Sequence, residues 1–284
     1  MQGQELKGEV PPVAIAVAPN GGRRTKADHP ALPMTPDELA RTAAECLDAG
    51  ACMIHVHVRD AEGRHLLETD AYLRAIAAIR QAVGERLVVQ ITSEALGIYS
   101  PEEQMAVVRA VRPEAVSLAL RELAPDEASE PAFADFLNWL RRERIAPQVI
   151  LYTPEEAVRL ARMRQRGLVP FESIPALYVL GRYTVGQTSR PTDLLPFLAP
   201  EMPVFPDWMV CAFGRHEAAC VTAAALLGGN VRVGFENNLE LPGGTRAASN
   251  ADLVGRTALV LGACGCSLAD ADWLRQGWSR LSIH

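Results

Sequence analysis

Two short stretches of this chain carry residue types and spacings that suit chemistry. The first is Cys52-Met-Ile-His-Val-His-Val-Arg-Asp60. Read as a strand, it alternates its side chains between two faces, so His55 and His57 point the same way. Two imidazoles at that spacing are placed to hold one metal ion. Val56 and Val58 point to the other face, where an apolar layer is expected. The second stretch is Val231-Arg-Val-Gly-Phe-Glu-Asn-Asn238. The same alternation puts Arg232, Gly234 and Glu236 on one face. If that face is inward, Glu236 joins the two histidines. Two His and one carboxylate with a position left open is a form of catalytic zinc site. Iron or another divalent metal would accept the same ligands; zinc is preferred because no redox role is visible. The plainer alternatives are two satisfied core histidines and an Arg232–Glu236 ion pair without metal. What favours the metal is the position of the HxH pair, at the carboxyl end of a strand, where α/β proteins place ligands.

The elements that must deliver these residues alternate along the whole chain. Apolar runs predict strands at 13–18, 52–60, 87–91, 115–120, 148–152, 176–180, 207–213 and 231–235. Helices are expected between them. Thr35-Pro-Asp-Glu38, Ser100-Pro-Glu-Glu103 and Thr153-Pro-Glu-Glu156 are three copies of one capping pattern, each opening a helix with Pro in its first turn. Further helices are expected from Thr69 or Asp70 to about 83, over about 131–143, as a short piece at 191–198, and over 217–227 and 250–263. Eight strand-then-helix units predict a parallel sheet, and in 284 residues a TIM (β/α)8 barrel. The alternative is a doubly wound open sheet, but no GxGxxG follows the first strand. No linker or repeat divides the chain, so one domain over 1–284 is expected, with a small helix and tail over 273–284.

A barrel draws its functional groups from the carboxyl ends of its strands. That rule selects Asn20, Arg23 and Arg24 from the first loop, and His55, His57 and Arg59 from the second strand. It adds Thr92, Ser93 and Glu94 from the third and Ser117 from the fourth, with Arg232, Glu236, Asn237 and Asn238 from the last. Strands one, two and eight are neighbours in a closed barrel, so these ends should converge. Gly234 either leaves room for a ligand or is a packing glycine. Gly214-Arg215-His216 is an anion site at a helix N-terminus or an ordinary loop, with equal weight. His29, His65 and His284 are expected in solvent.

Composition narrows the partners. A net charge of −6 argues against a general nucleic-acid or anionic-membrane binder, so an anionic ligand needs local arginines. No run approaches about 18 apolar residues, and the N-terminus has no signal-peptide core. The six cysteines include no CxxC; Cys46, Cys52, Cys211 and Cys220 read as buried thiols and Cys264-Gly-Cys266 as a weak metal signal. A cytoplasmic setting is the default expectation.

The chain resembles a known family. A first strand closed by a glycine turn, a long loop ending in Leu32-Pro-Met-Thr-Pro36, Gly50-Ala-Cys-Met-Ile-His-Val-His-Val-Arg-Asp60, Gly228-Gly-Asn-Val-Arg-Val-Gly-Phe-Glu-Asn-Asn-Leu239 and Ser249-Asn-Ala-Asp-Leu-Val254 are similar to the β-keto acid cleavage enzymes, nearly end to end. The resemblance implies a zinc-dependent TIM barrel that condenses a β-keto acid with acetyl-CoA and cleaves it to acetoacetate and a new acyl-CoA. It implies His55, His57 and Glu236 as ligands of one Zn2+, and Thr92 and Ser117 as substrate-holding groups. It also implies a homotetramer. In that family an Arg matching Arg232 is expected to work with an acid just after the ligand Glu to generate the acetyl-CoA carbanion.

Two departures matter. Asn237 stands where the family has its acid, and an amide cannot take up a proton as a carboxylate does. The base is then another group, such as Glu94 or a metal-bound hydroxide. The family member that acts on an amino-keto acid carries a Glu in the first loop, and Arg23 falls there. An arginine repels an ammonium and attracts a carboxylate, so the expected substrate is anionic or neutral. Asn20, Arg59 and Ser93 complete the expected substrate pocket. Two competing readings are a zinc-dependent TIM-barrel hydrolase and a non-catalytic keto acid or acyl-CoA binding protein. The amidohydrolase pattern fits poorly, because there the HxH lies on the first strand and the last strand ends in Asp.

Overall fold

The protein, in a computed structural model that describes residues 11–279, closes eight parallel strands into a barrel. The barrel strands are β1 (Ile15–Val17), β2 (Met53–Val56), β5 (Val88–Thr92), β6 (Ala115–Ala119), β7 (Ala146–Leu151), β8 (Ala176–Leu180), β9 (Trp208–Ala212) and β10 (Asn230–Val233). β1 sits between β2 and β10, which closes the ring and excludes the open-sheet alternative. Helices α1 (Pro36–Asp48), α2 (Thr69–Val83), α3 (Pro101–Val111), α5 (Glu130–Glu143), α6 (Pro154–Gln165), α7 (Glu217–Leu226) and α8 (Asn250–Ala263) connect the strands, with a 3-10 helix over Pro191–Phe197. The strands are apolar on both faces because the helices cover the outside and side-chain layers fill the inside.

Local chemistry explains the helix starts. Thr35, Ser100 and Thr153 each accept from the backbone three residues on, and Glu38, Glu103 and Glu156 reach back, closing the expected capping boxes. Ser249 and Asp252 make a fourth. α2 starts at Thr69 and runs to Val83, as expected, with Glu68 as its cap.

Three features depart from expectation. The histidine stretch is not one strand. β2 stops at Val56, and β3 (Val58–Arg59) turns away to pair with β4 (His65–Leu66) in a small hairpin. One helical turn, α4 (Leu120–Leu123), follows β6 with no side-chain cap. The last helix, α9, runs Ala271–Ser279, and the rest of the expected tail lies outside the described residues. Among the described residues no helix is long and apolar enough to cross a membrane.

Candidate active site at the carboxyl ends of the strands

The three expected ligands converge. His55 Nε2 and His57 Nε2 lie 3.2 Å apart, and Glu236 Oε2 lies 3.7 Å from the first and 3.6 Å from the second. They form the one His, Cys, Asp and Glu group of metal-binding geometry among the described residues. A tetrahedral zinc with bonds of about 2.0–2.1 Å sets its ligand atoms about 3.3 Å apart, so the spacing fits a single ion. Glu236 Oε1 takes Arg232 Nη2 at 3.3 Å, whereas Oε2 is buried with no hydrogen-bond partner. The ion-pair alternative thus accounts for only half of this carboxylate. A buried acceptor without a partner is costly, and a cation would satisfy it.

Electrostatics prepares the ligands. Burial and the nearby Arg232 charge push His55 down to about 3, so its imidazole is neutral. Its Nδ1–H donates to Gln90 Oε1 at 2.8 Å, which turns the Nε2 lone pair toward the cluster. Gln90 is held in turn by Gln148 Oε1 at 3.2 Å. Burial opposes ionisation of Glu236, but Arg232 and the two imidazoles outweigh it and hold the carboxyl well below the usual carboxylate range.

The backbone reaches this geometry by turns where strand alternation was expected to do it. β10 ends at Val233, and Glu236 comes back because Asn237 and Asn238 both donate to Gly234 O, while Glu236 N donates to Ala18 O at 3.0 Å. Gly234 has φ +138°, and a Cβ there would lie 2.4 Å from Ala18 O. It is therefore a packing glycine that lets the turn close on β1. Gly21, at φ +59°, has the same function on the opposite side: a Cβ would lie 2.6 Å from Glu236 Cγ.

The other candidates fall into two layers. Glu94 faces the cluster, with Oε2 3.8 Å from His57 Nδ1. It lines the mouth together with Thr92, Arg23 and Arg24. Asn20 also lines the mouth, but its side chain is tied to backbone: Nδ2 donates to His57 O at 2.9 Å and to Pro33 O at 3.0 Å. Arg59 also points at backbone, donating to the carbonyls of Gly21, Arg24 and Gly63, so it pins the first loop. Ser93 Oγ donates to Ser117 O at 3.0 Å. Ser117 Oγ and both polar atoms of the Asn237 side chain are buried without partners. Arg24 donates to Phe235 O, and Asn238 Nδ2 to Glu240 O at 2.6 Å.

Two histidines expected in solvent are buried. His29 is 3% exposed and its ring meets Ala247 O and the Phe235 ring, because the first loop folds back onto the barrel. His65 is 6% exposed, lies beside His57, and its Nε2 donates to Glu94 O at 2.7 Å. Hairpin β3–β4 carries it inward. His284 lies outside the described residues. Cys46, Cys52, Cys211 and Cys220 are buried thiols, as expected. Two groups were missed. Arg182, just beyond β8, lines the mouth with its side chain 12% exposed. Glu217 is buried beneath the β10 turn, accepts from Gly234 N and Asn238 Nδ2 at 3.2 Å, and is pushed up to about 8 by burial. For Arg182 the available signal was Gly181-Arg182 directly after an apolar run; Glu217 offered none beyond opening a helix.

Barrel and site together define a TIM-barrel protein with a metal-ready cluster at its mouth. The model of the β-keto acid cleavage enzyme family matches residues 12–278, and the chain belongs to that family. It is 28% identical over 267 residues to the 3-keto-5-aminohexanoate cleavage enzyme of Fusobacterium nucleatum, covering 92% of this chain and 96% of that one. It is 26% identical over 261 residues to the 3-oxoadipate:acetyl-CoA acetyltransferase of Cupriavidus necator, covering 88% of each. Among solved structures, the binary complex of ObcA with oxaloacetate superposes with a TM-score of 0.67 at 18% identity, over 88% of this chain and 67% of that one. That last likeness is one of fold.

Proposed function

We propose that the protein is a zinc-dependent enzyme that condenses a β-keto acid with acetyl-CoA and releases acetoacetate and a new acyl-CoA. The tail of its keto acid is anionic or neutral, not amino-bearing. The observation that carries this reading is the convergence of His55, His57 and Glu236 beside Arg232, within a chain of this family. The relatives named for acetyl-CoA transfer support the co-substrate.

His55, His57 and Glu236 would hold the ion, which when bound supplies Lewis-acid polarisation of the keto group. The protein's own residues do the rest. Glu94 takes a proton from C2 of the keto acid, the carbon between the two carbonyl groups. The carbanion is placed there and not on acetyl-CoA, because a new bond from C2 to the acetyl carbonyl is what yields acetoacetate. Glu94 stands in for the acid that Asn237 cannot be. The C2 carbanion attacks the thioester carbonyl of acetyl-CoA, forming a carbon–carbon bond as the carbon–sulfur bond breaks and the CoA thiolate leaves. The CoA thiolate then attacks the original keto carbon. The bond from that carbon to C2 breaks, and C2 takes the proton back from Glu94, giving acetoacetate and the new thioester. Arg232 stays charged beside Glu236 and stabilises the developing enolate oxygen. Thr92 and Ser117 hold the substrate, and Arg23 meets its tail. Asn20, Ser93 and Arg59 act by fixing the loops behind them, and Asn237 packs the turn that presents Glu236. On this reading the working unit is a cytoplasmic homotetramer.

The test is a coupled assay on metal-analysed protein. Acetyl-CoA and β-keto acids with positive, neutral and negative tails are supplied, and acetoacetate is followed. Formation that requires both zinc and acetyl-CoA supports the reading. Stoichiometric zinc with no acetoacetate from any tail sinks it in favour of a hydrolase or a binding protein.

A further inference from the structure

The mouth consists of two small cavities that share a wall. The inner one, about 20 Å³, is lined by His55, His57, Glu236 and Arg232. The outer one, about 50 Å³, is lined by Arg23, Arg24 and Gln187. Glu94, Arg182, Phe213 and Glu236 line both. On a scale where one water needs about 10–15 Å³, the outer cavity takes a short polar group and not a nucleotide.

Of the arginines around these cavities, all but two have hydrogen-bond partners inside the protein. Arg232 is taken by Glu236 and Cys211, Arg24 by Phe235 O, and Arg59 by the carbonyls of the first loop. Arg23 is exposed at the rim. Arg182 is different. Its side chain is 12% exposed, no hydrogen bond from its guanidinium is present among the described residues, and its nearest carboxylate oxygen is Glu94 Oε1 at 3.9 Å. The rings of Phe213 and Tyr183 flank it at 5.2 and 5.7 Å. A largely desolvated guanidinium without a bidentate partner is costly, and a carboxylate is the group that matches its fork. The outer cavity also holds three guanidinium groups against two carboxylates, of which Glu236 already belongs to Arg232 and the metal cluster.

We propose that Arg182 selects the substrate: it receives a carboxylate on the tail of the keto acid, so the preferred substrates are short β-keto dicarboxylates. The inner cavity takes the keto acid head and the outer cavity the tail, with Arg182 at the junction. Arg23 is then a rim charge that attracts the same tail from solvent. This inference rests on the acetyl-CoA-dependent cleavage proposed above.

The experiment compares 3-oxoadipate with 3-oxohexanoate, which has a methyl group in place of the tail carboxylate, in wild type, Arg182→Met and Arg182→Lys. The readout is the ratio of kcat/KM for the two acids. Wild type should favour 3-oxoadipate, and Arg182→Met should lower that ratio about 100-fold, mainly through KM. Arg182→Lys should recover part of it, since a point charge replaces a fork. A wild type without preference, or an equal loss on both acids in Arg182→Met, overturns the proposal; the latter would put Arg182 on the head carboxylate that both share. A second measurement does not need turnover. Calorimetric binding of glutarate to zinc-loaded protein should weaken by a similar factor in Arg182→Met, and binding of pentanoate should not. If no acetoacetate forms from either acid, the cleavage reading fails by itself, and glutarate binding still decides whether Arg182 holds a tail carboxylate. Unselective weakening, or none, overturns the proposal there too.

Discussion

The two ends of the barrel treat their polar groups in opposite ways. At the amino ends of the strands they are paired. Glu114, just before β6, is met by Arg80 from α2 and by Arg275 Nε from α9 at 2.6 Å. Asp207, just before β9, accepts from Trp278 Nε1 at 2.9 Å and Asn230 Nδ2 at 3.5 Å. At the carboxyl ends, buried atoms of His57, Ser117, Arg232, Glu236 and Asn237 have no partners. Apart from Gln104 on α3, every buried side-chain atom left without a partner among the described residues belongs to the mouth or to Arg59 and His65 beside it. Native interiors pair such groups almost completely. One end therefore holds the barrel together, and the other is left incomplete for a ligand to finish.

This contrast can be broken at several points. The largest effect is expected at Glu236→Gln, which keeps shape and removes charge. Bound zinc, read by elemental analysis, should fall to a small fraction of one per chain, and turnover should drop by about 1,000-fold or more. Gln90→Leu leaves the ligands in place but removes the acceptor that fixes the His55 tautomer. Zinc affinity measured by competition with a chelator should weaken roughly 10–100-fold. At the other end, Trp278→Phe strips Asp207 of its best donor. Unfolding by denaturant should show a loss of about 1–3 kcal/mol, with kcat/KM unchanged.

Acid should find the mouth first. Burial pushes His65, like His55, down to about 3. The unfolded chain takes up protons near the ordinary imidazole value of about 6.5 that the folded chain refuses. Stability of metal-free protein should therefore fall as pH drops from about 6.5 toward 3, by roughly 1.4 kcal/mol per pH unit for each imidazole. His65→Phe should flatten the measured slope by one imidazole's share; an unchanged slope would mean that His65 titrates normally. The smallest effect is expected at exposed Arg23. Arg23→Glu should shift preference between anionic and cationic tails only about 3–10-fold, because water screens a rim charge.

What was legible in the sequence follows from the range of each signal. Capping boxes and apolar runs are local, so the helix starts at Thr35, Ser100 and Thr153 and the ring of eight strands could be read directly. HxH and Arg-x-Gly-x-Glu are local too, and the four side chains they carry stand on or just beyond β2 and β10, the two strands that flank β1. The geometry that joins them was not legible. Strand alternation carries Arg232 to Glu236 on paper, but the chain makes a turn held by Gly234 and Ala18 O. Elements of two to four residues, such as hairpin β3–β4 and α4, are too short to show a period, and the burial of His65 depends on that hairpin. Arg182 belongs to no motif. The role proposed for it rests on the cavities and on the pairing of Arg24, Arg59 and Arg232 around them.

The central claim is that the mouth of the barrel moves the acetyl group of acetyl-CoA onto C2 of a β-keto acid. The most direct measurement supplies doubly 13C-labelled acetyl-CoA with a β-keto acid to zinc-loaded and zinc-stripped protein and follows the label by NMR. The account predicts both labelled carbons at C3 and C4 of acetoacetate, an unlabelled new acyl-CoA, and neither product without zinc. Label that stays in acetyl-CoA or passes to acetate while the keto acid is split by water would contradict it.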